Sequence, residues 1–142
     1  MKPILLAIML FPVTALARPI PEIPGQSWVQ AVPSDAAARA GEELHALMTD
    51  ERYDDLYARF TDTLKARIAP TTLPLNVDPY IQQMGIERSV VGVRAFTFNG
   101  AMHYVRTISY SSGGELTFAY SFDADGNVHN LMVTGDRTGL GF

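Results

Sequence analysis

At 142 residues the chain has room for one domain, and with 47% hydrophobic and 18% charged residues it has the composition of an ordinary globular protein rather than a disordered one. A formal net charge of -4 without any Lys/Arg cluster argues against nucleic acid and against anionic membrane surfaces as partners. The absence of cysteine excludes disulfides, thiol chemistry, thiolate metal sites and a lipid-carrying Cys behind a leader.

Residues 1–17 read as a secretory signal. Lys2 precedes a short apolar run broken by Pro12, and the stretch ends in the small-x-small pattern Ala15-Leu16-Ala17. The run is too short to serve as a membrane anchor. Cleavage near Ala17 would deliver a periplasmic or secreted protein beginning at Arg18. Residues 18–33 contain Pro19, Pro21, Pro24 and Pro33 and predict an extended lead-in, with Trp28 and Val29 available to tack it onto the domain.

The domain proper is expected over 34–134. Ser34 can cap a helix whose Asp35 suits the positive end of the dipole, and Ala37, Ala40, Leu44, Leu47 and Met48 recur at helical spacing. After a break at Thr49-Asp50, Tyr53, Leu56, Tyr57, Phe60 and Leu64 predict a second amphipathic helix. The small stripe of the first helix and the aromatic stripe of the second suit close packing against each other. Asp78-Pro79 and Gly85 bracket a short third helix over 80–84.

From Ile86 the period changes from 3.6 to 2. Four strands are predicted over 90–98, 102–110, 116–122 and 128–134, joined by Asn99-Gly100, by the Ser-Ser-Gly-Gly of 111–114 and by the Asp-Ala-Asp-Gly-Asn of 123–127. The fold class is therefore α+β: N-terminal helices packed on a curved four-stranded antiparallel meander. The glycine-rich tail, 135–142, is expected to be loosely ordered. A two-residue Asn99-Gly100 turn sets the first hairpin's register, with Thr97 facing Met102, Ala95 facing Tyr104, Val93 facing Arg106 and Val91 facing Ile108. That face is mostly apolar and forms a floor for the helices. The other face opposes Gly92, Arg94, Phe96 and Phe98 with His103, Val105, Thr107 and Ser109, and is too aromatic for a freely solvated surface.

The order of elements, with Tyr53-x-x-Leu56-Tyr57-x-x-Phe60, Leu64-Lys65, Met84-Gly85 and Phe122-Asp123-Ala124-Asp125-Gly126-Asn127-Val128, resembles the nuclear-transport-factor-two-like (NTF2-like) superfamily, and within it a small exported bacterial domain. The likeness covers residues 36–133. It implies a cone in which helices and a concave sheet can enclose a pocket. Superfamily members include isomerases, dehydratases, accessory domains and interaction modules, so the shape implies no particular chemistry.

Proton-moving enzymes of that shape need a carboxylate aimed into an apolar pocket. Here Glu87, Glu115 and Asp123 all lie at strand ends beside turns, as solvated flanks, and no catalytic residue is assigned. Asp62 either points inward beside Tyr57 or caps the turn at Thr63-Leu64-Lys65. Arg106, on the helix-facing side, needs a partner. Asp54, Asp55, Asp62 or Glu115 would supply an ion pair; the alternative is an anionic ligand held by Arg106 with Tyr57, Tyr104 and Tyr110. Phe96 cross-pairs with His103, and Arg94, Phe96, Phe98, His103 and Val105 form a candidate partner or homodimer face. The histidines His45, His103 and His129 show no metal-ligand spacing, and the 123–127 loop reads as a turn with a bulge rather than a calcium loop, so neither metal nor cofactor is expected. These residues point to a non-catalytic binding or interaction module whose partner is a protein or a small ligand. The alternatives are an isomerase-like enzyme or carrier using the cone interior, and an inhibitor or immunity-type protein.

Overall fold

The computed structural model describes residues 31–135 and 139–141. The signal segment, the lead-in as far as residue 30 with Trp28 and Val29, and residues 136–138 and 142 of the tail lie outside the described residues. The lead-in ends in a short strand, β1 (Val32–Pro33), and helix α1 (Asp35–Thr49) follows at once. Ser34 is extended, and its hydroxyl accepts the Ala37 amide at 3.1 Å, satisfying one of the helix's orphan donors. The buried stripe runs through Ala37, Gly41, Leu44, His45 and Met48. At Gly41 an added Cβ would run into the Cβ and ring of Tyr104 on the sheet. At that point α1 settles directly on the sheet, while it also packs against the aromatic helix as the sequence suggested.

The expected second helix is broken in two, α2 (Tyr53–Ala58) and α3 (Asp62–Arg67). The cause is a competing set of backbone bonds. Phe60 forms a parallel bridge with Val128, where the Val128 amide donates to the Arg59 carbonyl (2.7 Å) and the Thr61 amide to the Val128 carbonyl (2.9 Å). Those bonds replace helical ones, yet Tyr53, Leu56, Phe60 and Leu64 all stay buried. Thr61, not Asp62, caps α3 by accepting the Leu64 amide at 3.2 Å. A π-helical turn, Leu73–Val77, buries Leu73 and Val77 and runs directly into α4 (Asp78–Gln83); Gly85, at φ 89°, stops it.

The sheet follows sequence order: β1, β2 (Glu87–Phe98), β3 (Ala101–Tyr110), β4 (Glu115–Phe122), β5 (Val128–Gly135) and β6 (Gly139–Gly141). Four long strands make its body and the sheet does not close. Thr97 pairs with Met102, Ala95 with Tyr104 and Val93 with Arg106, as the Asn-Gly turn requires. Farther along, Ile108 faces Val90 rather than Val91, because a bulge inserts a residue between Val90 and Gly92; a second irregularity lies at Arg88. In the tail, 139–141 form β6, where Leu140 pairs with Val133. The core lies between the helices and one sheet face, with Tyr104, Ile108, Phe118, Tyr120 and Phe122 meeting Leu44, Met48, Leu56 and Leu64.

Candidate functional site

The helix-facing row of β3 carries Tyr104 and Arg106, two residues apart and hence on one side of the strand. Because Gly41 lets α1 settle directly on Tyr104, the next residue, Glu42, reaches both. The Tyr104 hydroxyl donates to Glu42 Oε1 at 2.5 Å, and Arg106 Nη1 donates at 3.1 Å to both Glu42 oxygens and to the Tyr104 oxygen. The guanidinium's three bonds all use one nitrogen. Arg106 Nε is buried without a partner among the described residues, and the side chain as a whole is only 18% exposed, against 53% for Glu42. The guanidinium's partner is thus an acid on the first helix, and not Asp54, Asp55, Asp62 or Glu115.

One turn after Glu42 the same helix face presents His45. Its Nδ1 lies 3.1 Å from the Tyr120 hydroxyl and its ring meets Phe118 edge-on, with centroids 4.9 Å apart. Burial, helped by the nearby Arg106 charge and opposed by Glu42, pulls the imidazole down to about 4. Burial and the bond to Glu42 push Tyr104 up to about 12; burial and the charge of Glu87 push Tyr110 up to about 12. Tyr120 is raised as well, chiefly by burial. At neutral pH the imidazole is neutral, the phenols keep their protons, and the charges of Glu42 and Arg106 offset each other. The cluster binds itself; it does not present a free base.

Of the residues proposed for a ligand pocket, the structure brings together Arg106 and Tyr104, with Tyr110 farther along the same row of β3. Tyr57 points elsewhere: its hydroxyl donates to the Ile68 carbonyl at 3.2 Å, and Lys65 sits over its ring at 5.6 Å. Asp62 is exposed in the first turn of α3 and does not join the cluster. Two clefts, of about 360 and 490 Å³, lie on the far side of α1 and α2 among Glu43, Asp50, Arg52 and Pro74, and none of the five lines either.

The opposite sheet face carries the predicted interaction residues together. Phe96 stacks on His103 with centroids 5.1 Å apart and planes at 18°, and Phe98 lies 6.4 Å from the same imidazole. His103 Nδ1 is 3.0 Å from Ser121 Oγ, and burial lowers its pKa. Arg94 is exposed opposite Val105, which is only 7% exposed; Phe96 and Phe98 are half-buried. In the 123–127 loop the Asp123 carboxylate accepts the amides of Asp125 and Asn127 and the Asn127 side chain, at 2.9 to 3.0 Å, so it is engaged by its own turn. Among the described residues no group of three or more His, Asp or Glu is arranged to hold a metal ion.

A feature that strand patterning alone did not single out lies along the β1–β2 side. Six large hydrophobic residues are exposed among those described, and Val32, Ile86, Val90, Val91 and Val93, at 43 to 77%, all belong to this one side; Leu75 is the exception. No protein-family model, no curated protein and no solved structure matches this chain.

Proposed function

We propose that this chain is an exported, non-catalytic interaction module of NTF2-like shape that meets a protein partner along the β1–β2 side of its sheet. The observation that carries the reading is the gathering of exposed aliphatic side chains on that side, next to the part of β2 over 87–93 that pairs with β3 on one edge and with no described strand on the other. Isolated apolar residues on a surface need no explanation, but a contiguous set along an open sheet edge does. The inward-facing polar groups support the same reading, since Glu42 already holds both the Tyr104 hydroxyl and Arg106 Nη1. The signal-like residues 1–17 support export.

A photo-crosslinking side chain at Val91, compared with one at the equally exposed but isolated Leu75, tests this in cells that express the protein. A discrete adduct at Val91 and none at Leu75 is expected. Equal labelling at both positions, or none at Val91, would defeat the reading. A second reading, a carrier for a small anion in the cone interior, has the unpartnered Arg106 Nε in its favour. It predicts that Arg106→Met abolishes uptake of the anion while leaving Val91 adducts intact.

A further inference from the structure

The sheet face turned away from the helices carries an arrangement that lies outside the interaction reading and does not rest on it. Directly opposed residues of neighbouring antiparallel strands share a face. Phe96, His103, Ser121 and Asn130 therefore stand in one row across β2, β3, β4 and β5. Within the row, His103 Nδ1 lies 3.0 Å from Ser121 Oγ. Phe96 stacks on the imidazole with centroids 5.1 Å apart and holds its plane. Burial keeps the ring neutral at pH 7, and a hydrogen bond with the Phe98 backbone works against that shift, as a ring N–H donating to a carbonyl does. Asn130 is exposed beside Ser121, and β5 bulges at His129, immediately before it. A hydroxyl, a neutral base with a fixed ring and a side-chain amide thus meet on a half-exposed surface. The serines farther along the same face differ: Ser89 and Ser109 bond hydroxyl to hydroxyl at 2.8 Å, with no imidazole between them.

We propose that His103 gives its Nε2–H to the Phe98 carbonyl and takes the Ser121 proton at Nδ1, which makes Ser121 Oγ a nucleophile toward small activated acyl esters. This is the pairing that activated serines require: a base within hydrogen-bond reach, itself oriented by a third group. Oγ forms the new bond to the acyl carbon while Nδ1 receives the hydroxyl proton. The ester C–O bond then breaks, and the same proton passes to the leaving alcohol. The products are O-acyl Ser121 and that alcohol. The Asn130 amide is the donor for the oxyanion that develops on the carbonyl, and half-buried Phe98 offers apolar surface to the acyl chain. A single transfer modifies the chain and is not turnover, so it stands beside the interaction reading rather than against it.

A fluorophosphonate tests the nucleophile, since Oγ forms the P–O bond, fluoride leaves and His103 takes the proton. Full-length protein, as processed by the expressing host, is treated with the probe, digested and mapped by mass spectrometry. One adduct is expected, on Ser121, with none on Ser89 or Ser109, and Ser121→Ala should remove it. His103→Gln, which can still bond Ser121 but cannot take its proton, should slow labelling by about a hundredfold or more. Asn130→Ala, at an exposed position, should slow it by about tenfold or more and provides the second reading if His103→Gln disturbs the sheet. A p-nitrophenyl ester of a short fatty acid should leave its acyl group on the same serine. Absence of the Ser121 adduct, equal labelling of Ser89 or Ser109, or a rate that neither variant changes would overturn the proposal. The Val91 crosslink reports on a different part of the sheet, so either result there leaves this one standing or falling by itself.

Discussion

His45 allows the buried cluster to be tested by pH alone. Its pKa falls from 6.5 to about 4 in the folded protein, so between those values the unfolded chain binds a proton that the native chain refuses. Stability from this group is fully present above about pH 6.5 and is lost as pH falls toward 4. Each pKa unit corresponds to about 1.4 kcal/mol, so the full loss is about 3 kcal/mol, of which about 2 kcal/mol falls between pH 7 and pH 5. That window avoids most carboxylate titration. His103, lowered by its own burial, adds a loss of the same sign, so wild type alone does not isolate His45. His45→Gln does, because the amide can still bond Tyr120 but does not titrate. Urea unfolding at pH 7 and pH 5 should show the wild type losing about 2 kcal/mol more than the variant, of the order of 8 °C in melting temperature for a domain of this size. Parallel losses in the two proteins would refute the placement of a neutral, desolvated imidazole beneath α1.

Three further outcomes follow from single contacts. Gly41→Ala gains about 1 kcal/mol in helix propensity yet should destabilise by a net 1–3 kcal/mol, roughly, because the new methyl meets the root of the Tyr104 ring, which cannot swing away; a raised urea midpoint would contradict that contact. Glu42→Ala should cost about 1–3 kcal/mol by stranding Arg106 and Tyr104, and adding Arg106→Met should return most of the loss, as seen in urea midpoints of the single and double variants. Asp123→Ala should lower the melting temperature measured by circular dichroism, while Asp123→Asn, whose carbonyl oxygen can still accept the Asp125 and Asn127 amides, should restore most of it.

The meander was legible because hairpin chemistry is local: Asn99-Gly100 sets the cross-strand pairs from Phe98–Ala101 to Gly92–Thr107 unaided. The bulges at Arg88 and Val91 were not, since an inserted residue leaves an apolar, β-branched run looking continuous. Period alone also concealed the break at Phe60. The aromatic stripe keeps its buried side whether the backbone bonds within a helix or to β5, and only the pairing with Val128 decides between them. The same distinction governs the polar cluster. Strand alternation placed Tyr104 and Arg106 on the inner face, but Glu42 lies outside the apolar stripe of α1, and the stripe gives no sign that this acid reaches the sheet. The available signal was Gly41: a glycine on the buried face of a helix marks where the backbone comes closest to its neighbour, so the acid beside it falls within reach of whatever lies below.

The contrast between interior and edge is what shapes the functional proposal. A guanidinium on the helix-facing side of the sheet is held at a desolvation cost, and in a ligand site that cost is offset when the ligand arrives. Here it is offset in advance by Glu42, and an incoming anion would have to displace a carboxylate already bonded to both Arg106 and Tyr104. The valines of β2 stand in the opposite position. Their side chains are exposed, and over 87–93 the edge of β2 away from β3 has no described strand beside it, so a strand laid there gains main-chain bonds and aliphatic burial. Binding at the outer edge of β2 therefore displaces no ion pair among the described residues, whereas binding between the helices and the sheet at Arg106 begins by breaking one.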